Sequence, residues 1–167
     1  MCEYKDNELV ISFIKENEEK LYKVAYSYVK NPDTALDLVQ DSIVKALQKR
    51  HTLKHPEYLK TWFYRILINE CLMFIRKNKK IVYLENLDVY FNEPSLSSLE
   101  NNNIDLYHAI DHLSPQLKTI ILLRFFEDMK LEEIARITGV NLNTIKSRLY
   151  KALKILKIDM EGELNDR

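Results

Sequence analysis

The stretch that decides the fold is LEEIARITGVNLNTIKSRLYKAL, residues Leu131 to Leu153. Its apolar residues recur at helical spacing on both sides of Gly139, one of only two glycines among 167 residues. A sharp turn between two helices needs a left-handed backbone conformation, which glycine adopts without steric cost. The stretch therefore predicts a helix-turn-helix, with helices over residues 131–138 and 142–160.

The residues around this turn fit the same prediction. Ala135 is small, at the point where the two helices must approach closely, and Val140 fills the corner. Asn141 is a residue type that caps the N-terminus of a helix. Three apolar residues at helical spacing would pin the second helix to the core: Ile145, Leu149 and Ala152.

The opposite face of the second helix is polar and basic. Hydrogen-bonding side chains lie in its first turn and positive charges follow: Asn143, Thr144, Lys146, Ser147, Arg148 and Lys151. A helix that reads the major groove places its N-terminal residues at base edges and its cations on phosphates. The alternative is an ordinary helical hairpin with a solvated basic face. The lone glycine, the capped second helix and six basic residues without an acid between 136 and 157 favour DNA binding.

The rest of the chain is predicted to be all-α. Two glycines and four prolines are too few for β-hairpins or phosphate-binding loops, and three of the prolines, Pro32, Pro56 and Pro115, stand at helix starts. Apolar spacing predicts helices over 7–29, 32–50 and 57–78, then a further set from residue 104 onward. In the second helix we expect a buried stripe of Leu36, Val39, Ile43, Ala46 and Leu47. The helix opened by Pro115 should bury a second stripe of Leu117, Ile120, Ile121, Leu123 and Phe125. Ser114 and Asn31 should cap their helices.

Between these two sets of helices the periodicity fails. Residues 81–105 carry five acids and no base, and the segment contains Pro94, a serine cluster and three consecutive asparagines. This composition is typical of a flexible acidic linker, although its few apolar residues also fit a partly ordered loop. The sequence thus predicts two small helical domains, residues 1–80 and 104–167, joined by a linker over 81–103.

Charge is distributed unevenly although the net charge is zero. Residues 45–80 contain ten basic and two acidic residues, whereas the first twenty residues and the last ten are each net acidic. Two basic blocks separated by an acidic spacer can bind a polyanion at two places. The alternative for each block alone is solvated surface charge.

Composition also excludes several classes of protein. Cys2 and Cys71 are too few for a disulfide scaffold or a zinc site, which indicates a reducing compartment. The four histidines form two pairs at i, i+4 spacing, but neither pair has the further ligands that zinc needs: His51, His55, His108, His112. There is no nucleophile motif, and no membrane span or basic signal sequence. We expect a cytoplasmic protein that is not an enzyme and holds no metal or cofactor.

Two surfaces of the first domain are candidates for binding. The outer side of the second helix mixes acids with aliphatic residues, as a partner-facing surface does, although a solvated face fits the spacing equally well: Asp37, Leu38, Gln40, Asp41, Val44. The third helix interleaves aromatic and polar or basic side chains: Tyr58, Lys60, Trp62, Tyr64, Arg65, Asn69, Arg76, Lys77. Rings and cations together suit single-stranded DNA, whereas the competing interpretation places Trp62 and Phe63 in the core.

Three runs of the sequence resemble the alternative sigma factors of the extracytoplasmic-function group. They are DTALDLVQDSIVKAL (33–47), YLKTWFYRILINECLMFIRK (58–77) and LEEIARITGVNLNTIKSRLYKAL (131–153). The three motifs stand in the family's order and at its spacing, and the resemblance covers nearly the whole chain. The third run alone would also fit other helix-turn-helix regulators.

The resemblance implies a role for each surface. It assigns Asp37, Leu38, Gln40 and Asp41 to core RNA polymerase, and residues 55–76 to melting and capturing the −10 promoter element on the non-template strand. The segment before Trp62 would hold a flipped base, and residues 143–151 would read the −35 element. The acidic linker would thread the polymerase channel toward the RNA exit. An anti-sigma factor, often membrane-bound, is a further implied partner.

The expected function is therefore that of a sigma factor responding to an extracytoplasmic or envelope signal. A stand-alone helix-turn-helix regulator is the alternative, and an enzyme is the least favoured class. The loop HTLKHPEYLK (51–60) departs from the family pattern, so the resemblance does not indicate which promoter bases are read. Residues 1–6 match nothing in the family.

Overall fold

The computed structural model describes the backbone of residues 2–85 and 104–165 and the side chains of residues 7–79 and 106–157. Over these ranges the chain forms helices and tight helical turns without a strand, which confirms the predicted all-α class. The chain divides into two compact units, Met1–Pro94 and Ser95–Arg167. Most of the predicted linker, residues 86–103, lies outside the described residues.

The first unit contains three long helices that pack against one another. They are α1 (Cys2–Val29), α2 (Pro32–Lys49) and α3 (Leu59–Glu85), and the 3-10 turns Arg50–Thr52 and Pro56–Tyr58 join the last two. The predicted cap at the start of α2 is present, because the Thr34 amide donates to Asn31 Oδ1 at 2.9 Å. The backbone of α3 continues beyond the predicted end of that helix at residue 78.

The buried face of α2 differs from the predicted one. Leu36 is 48% exposed, whereas Leu38, which we expected on the outer side, is only 6% exposed. The buried residues of α2 are Ala35, Leu38, Val39, Ser42 and Ala46. On this buried stripe the Ser42 hydroxyl is satisfied by donating to the Leu38 carbonyl at 2.7 Å. The prediction for these two leucines was therefore wrong.

In the second unit, residues 104–165 form four helices around their own core. They are α4 (Ile104–Asp111), α5 (Pro115–Ile121), α6 (Leu131–Thr138) and α7 (Leu142–Asn165), with a π-helical turn, Leu122–Phe126, continuing α5. A cluster of buried residues from α4, α5 and α7 and the turn between α4 and α5 forms much of this core: Ala109, Ile110, Leu113, Leu117, Ile121, Ala152, Leu156. The Ser114 carbonyl accepts a hydrogen bond from the Lys118 amide. The expected cap by the Ser114 side chain is absent.

The π-helical turn changes which side chains reach the core. The Glu127 amide donates to the Leu122 carbonyl, five residues earlier. A π turn adds about one residue to a helical turn, so the side chains within and after it shift around the helix. Phe125, predicted to be buried, is 57% exposed for this reason. Phe126 lies beside Tyr107, with their ring centroids 5.8 Å apart.

Candidate nucleic-acid and protein-binding surfaces

The turn between α6 and α7 has the geometry that its sequence predicts. Gly139 adopts φ 70° at the C-terminus of α6, and its amide donates to the Ala135 carbonyl at 2.9 Å. Asn141 then caps α7, because its Oδ1 accepts the Thr144 amide at 2.8 Å. Ile134 and Ile145, one from each helix, are fully buried and hold the pair together. The turn therefore fixes the direction in which α7 leaves the unit.

One face of α7 is polar and open to solvent. Four of the six predicted DNA-binding residues are exposed, namely Asn143, Lys146, Ser147 and Lys151, while Thr144 and Arg148 are half-buried at the edge of the core. The Ser147 hydroxyl donates to the Asn143 carbonyl at 2.9 Å, which leaves its oxygen lone pairs as the group available to a partner. The structure thus brings all six residues to one side of α7 or its margin.

Sequence reasoning missed Tyr150. Its side chain is 71% exposed, on the same face as Lys146 and Ser147, four and three residues earlier. The signal was available, since a tyrosine at helical spacing from two polar positions must share their face.

A second polar face lies on α2. Asp37, Gln40, Asp41 and Val44 are all exposed and follow one another at helical spacing, so they form one face, here called the α2 face. Leu36 adds an exposed apolar side chain to the same helix. Leu38 lies on the buried side and does not belong to the α2 face.

A third face follows α3. Trp62 is half-buried, and Arg65, Asn69 and Arg76 are exposed at intervals that place all four on one side of the helix, here called the α3 face. Two more predicted residues are available nearby, since Tyr58 precedes the helix with an exposed ring and Lys77 is exposed next to Arg76. Lys60 is half-buried.

Tyr64 does not belong to this face. It is fully buried in the first unit, and its position between two residues of the exposed side explains the error, since neighbours in a helix point about 100° apart. The predicted DNA contact of Tyr64 was therefore wrong.

The electrostatics of the first unit leave the α3 face basic. Glu70, one of the two acids among residues 45–80, forms an ion pair with Lys45 of α2. Its charge is thereby neutralised within the unit. The exposed cations Arg65, Arg76 and Lys77 give the α3 face a positive potential, as a polyanion site requires.

Two further findings concern sites of other kinds. Among residues 7–79 and 106–157, no group of three His, Cys, Asp or Glu side chains is arranged to hold a metal ion. Across the described part of the chain, no helix has the length and apolar character to cross a membrane.

Comparison with protein families places both units in one family. Residues 13–81 match the family model "Sigma-70 region 2" and residues 104–156 match "Sigma-70, region 4". The chain belongs to the sigma-70 family of RNA polymerase sigma factors, in its extracytoplasmic-function (ECF) group. It is 46% identical over 155 residues to the RNA polymerase sigma factor SigV of Bacillus subtilis, covering 93% of each chain.

More distant matches also cover most of the chain. The ECF RNA polymerase sigma factor SigW of Bacillus subtilis is 25% identical over 167 residues, covering 91% of this chain and 89% of SigW. Among solved structures, the sigma factor RpoE of Bartonella quintana, crystallised with the anti-sigma factor NepR, has a TM-score of 0.77 and 28% identity. That match covers 90% of this chain and 97% of RpoE.

Proposed function

We propose that this chain is a sigma factor that binds core RNA polymerase and directs it to a set of promoters in the cytoplasm. It supplies recognition and no catalysis of its own, and it responds to an extracytoplasmic or envelope signal. The observation that carries the proposal is the presence of three separate faces, on α2, α3 and α7, in a chain whose two units match sigma-70 regions 2 and 4.

The α7 face is proposed to read the −35 element in duplex DNA. Asn143 and Thr144 stand in the first turn of α7 and are suited to base edges, while the cations that follow are suited to phosphates: Lys146, Arg148, Lys151. Ser147 and Tyr150 complete the contact surface with hydroxyl groups. The rigid turn at Gly139 keeps this face at a fixed angle to the rest of the unit, as groove insertion requires.

The α3 face is proposed to capture the melted −10 element. Arg65, Arg76 and Lys77 provide charge for the phosphate backbone, and Asn69 provides an amide that can hydrogen-bond to an exposed base. Tyr58 offers an exposed ring on which a base can stack. Separation of this face from the α7 face, in another unit, matches the division of a promoter into two elements.

The α2 face is proposed to bind core RNA polymerase. Asp37 and Asp41 supply charge, Gln40 supplies hydrogen bonds and Val44 supplies apolar area. Mixed surfaces of this kind are typical of protein interfaces that form and dissociate. An anti-sigma factor is the proposed inhibitory partner, since the matched sigma factor RpoE was crystallised with one.

The test is transcription with purified core polymerase. The protein should co-purify with core polymerase and give transcripts from a subset of promoters on genomic DNA, because the α2 face and the two DNA-binding faces act together. Asp41→Asn should weaken core binding, while Glu8→Gln, which removes an exposed charge from α1, should not. A stand-alone regulator would instead bind its duplex site without polymerase, and Asp41→Asn would not change that binding. Failure to bind core polymerase would refute the proposal.

A further inference from the structure

The segment between α2 and α3 has little buried surface to define its shape. Most side chains of residues 50–58 are exposed, including His51, Lys54 and His55. Segments with few buried apolar contacts open at low free-energy cost. The conformation of this segment therefore depends on specific hydrogen bonds more than on packing.

Some of these bonds are local to the segment. The Leu53 amide donates to the Arg50 carbonyl and the Tyr58 amide to the His55 carbonyl, both at 3.0 Å. The His55 ring also lies edge-on to Tyr58, with centroids 6.0 Å apart. These contacts shape each 3-10 turn but do not hold the first turn against α3.

A side-chain bond provides that connection. Trp62 Nε1 donates to Thr52 Oγ1 at 3.0 Å, and Thr52 Oγ1 donates to the Lys49 carbonyl at 2.7 Å. A hydroxyl has one proton and two lone pairs, so both bonds form at once. They join the last residue of α2, the first 3-10 turn and the first turn of α3.

We infer that Trp62 is a positioning residue, whose indole N–H bond to Thr52 fixes the segment 50–58 in the shape that receives a −10 base. This inference rests on the proposed capture of the −10 element by the α3 face and by Tyr58, the last residue of the segment. It differs from the interpretation of Trp62 as a stacking platform, because it assigns the role to the N–H group rather than to the ring. A segment held in its receiving shape before DNA arrives binds without the entropy loss of ordering it.

A positioning role and a stacking role for Trp62 predict that different variants impair −10 binding. Trp62→Phe keeps an aromatic ring and removes the N–H, so it should harm positioning and spare stacking. Thr52→Val removes the acceptor without touching the ring. A neutral hydrogen bond contributes enough to shift a local equilibrium by roughly 2- to 12-fold. Thr52→Ser restores the hydroxyl and should recover most of the loss.

The first measurement uses the free full-length protein. Trp62 is the only tryptophan of the chain, so a single indole N–H resonance and a single fluorescence emission report its state. Thr52→Val should speed indole hydrogen exchange by roughly 2- to 12-fold, and Thr52→Ser should return it to the wild-type rate. Thr34→Val, the same substitution in the first turn of α2, is the matched control and should leave it unchanged.

The second measurement uses holoenzyme with core polymerase. Single-stranded oligonucleotides carrying each base at every −10 position are ranked by affinity. Thr52→Val and Trp62→Phe should each reduce discrimination between bases by a similar factor and leave −35 duplex binding intact. The double variant should be no worse than either single one, because both remove the same bond.

The outcomes separate the inference from the function on which it rests. If Thr52→Val leaves the rate of indole hydrogen exchange unchanged, the inference is overturned, whatever result the DNA-binding assay gives. The positioning role would be overturned if Thr52→Val altered indole exchange without changing base discrimination. It would also be overturned if Trp62→Phe discriminated between bases like the wild type. Either result would leave the proposed function in transcription unaffected. A wild-type protein that gives no promoter-specific transcription with core polymerase would overturn the function, and the positioning role with it, while the bond itself remained measurable.

Discussion

Replacing Gly139 by alanine tests the helix-turn-helix geometry directly. Gly139 has φ 70°, and a Cβ atom added there would meet nothing within 4 Å. The cost of Gly139→Ala is therefore the backbone strain of a left-handed L-residue, roughly 1–2 kcal/mol, without a steric term. Part of it is offset, because alanine loses less backbone entropy on folding than glycine, by about 0.4–1 kcal/mol. The expected net destabilisation of the second unit is about 1 kcal/mol.

Thermal unfolding followed by circular dichroism measures this effect. For a unit the size of residues 95–167, a loss of 1 kcal/mol lowers Tm by about 4–8 °C. Gly139→Asn is the matched control, because asparagine tolerates the left-handed conformation better than alanine and should recover much of the loss. An unchanged or raised Tm for Gly139→Ala would refute the left-handed turn. A loss beyond about 3 kcal/mol would show that a neighbour obstructs the added methyl group.

The remaining predictions concern DNA binding and pH. Arg148→Ala should weaken −35 duplex binding and reduce the log–log salt slope by about one unit, measured by titration at several salt concentrations; an unaltered slope would remove Arg148 from the phosphate contacts. Trp62→Ala should leave −35 binding intact and impair promoter opening, seen by permanganate footprinting once circular dichroism has shown the folded fraction; equal loss in both assays would contradict the division between the units. Burial, with a smaller contribution from Glu70, raises the pKa of the Cys71 thiol from 9.0 to about 12. The neutral thiol is thus favoured in the folded state, and its contribution to stability, complete below pH 9, falls by about 1.4 kcal/mol per pH unit up to pH 12. Chemical denaturation across that range should show a shallower decline for Cys71→Ala than for the wild type, and identical slopes would contradict the burial argument.

Local sequence determined the elements that depend on neighbouring residues alone. The bounds of α6, the left-handed turn at Gly139 and the caps by Asn31 and Asn141 were all predictable. Each results from one side chain or one backbone conformation acting within four residues, so no distant part of the chain alters it. The exposed face of α7 followed from the same helical spacing.

Tertiary packing decided which face of a helix with apolar residues on two sides is buried. On α2, Ala35, Leu38 and Ser42 line the interior while Leu36 remains outside, because the side on which the neighbouring helices pack determines which residues are buried. Helical spacing alone shows which residues of α2 share a side. It does not show on which side the partner helices pack.

The same reasoning explains two other residues. Tyr64 is buried by its surroundings in the first unit, and Phe125 is exposed within the π turn Leu122–Phe126. Neither effect is encoded in residue type, since a ring at either position could stack on a base or fill a core. The bond from Trp62 to Thr52 spans ten residues of sequence and joins the first 3-10 turn to α3, a tertiary contact that helical spacing does not predict. The sequence alone specified local features such as the Gly139 turn and the asparagine caps. The packing of the helices determined which side chains face solvent, because burial is a property of the assembled unit rather than of any one segment.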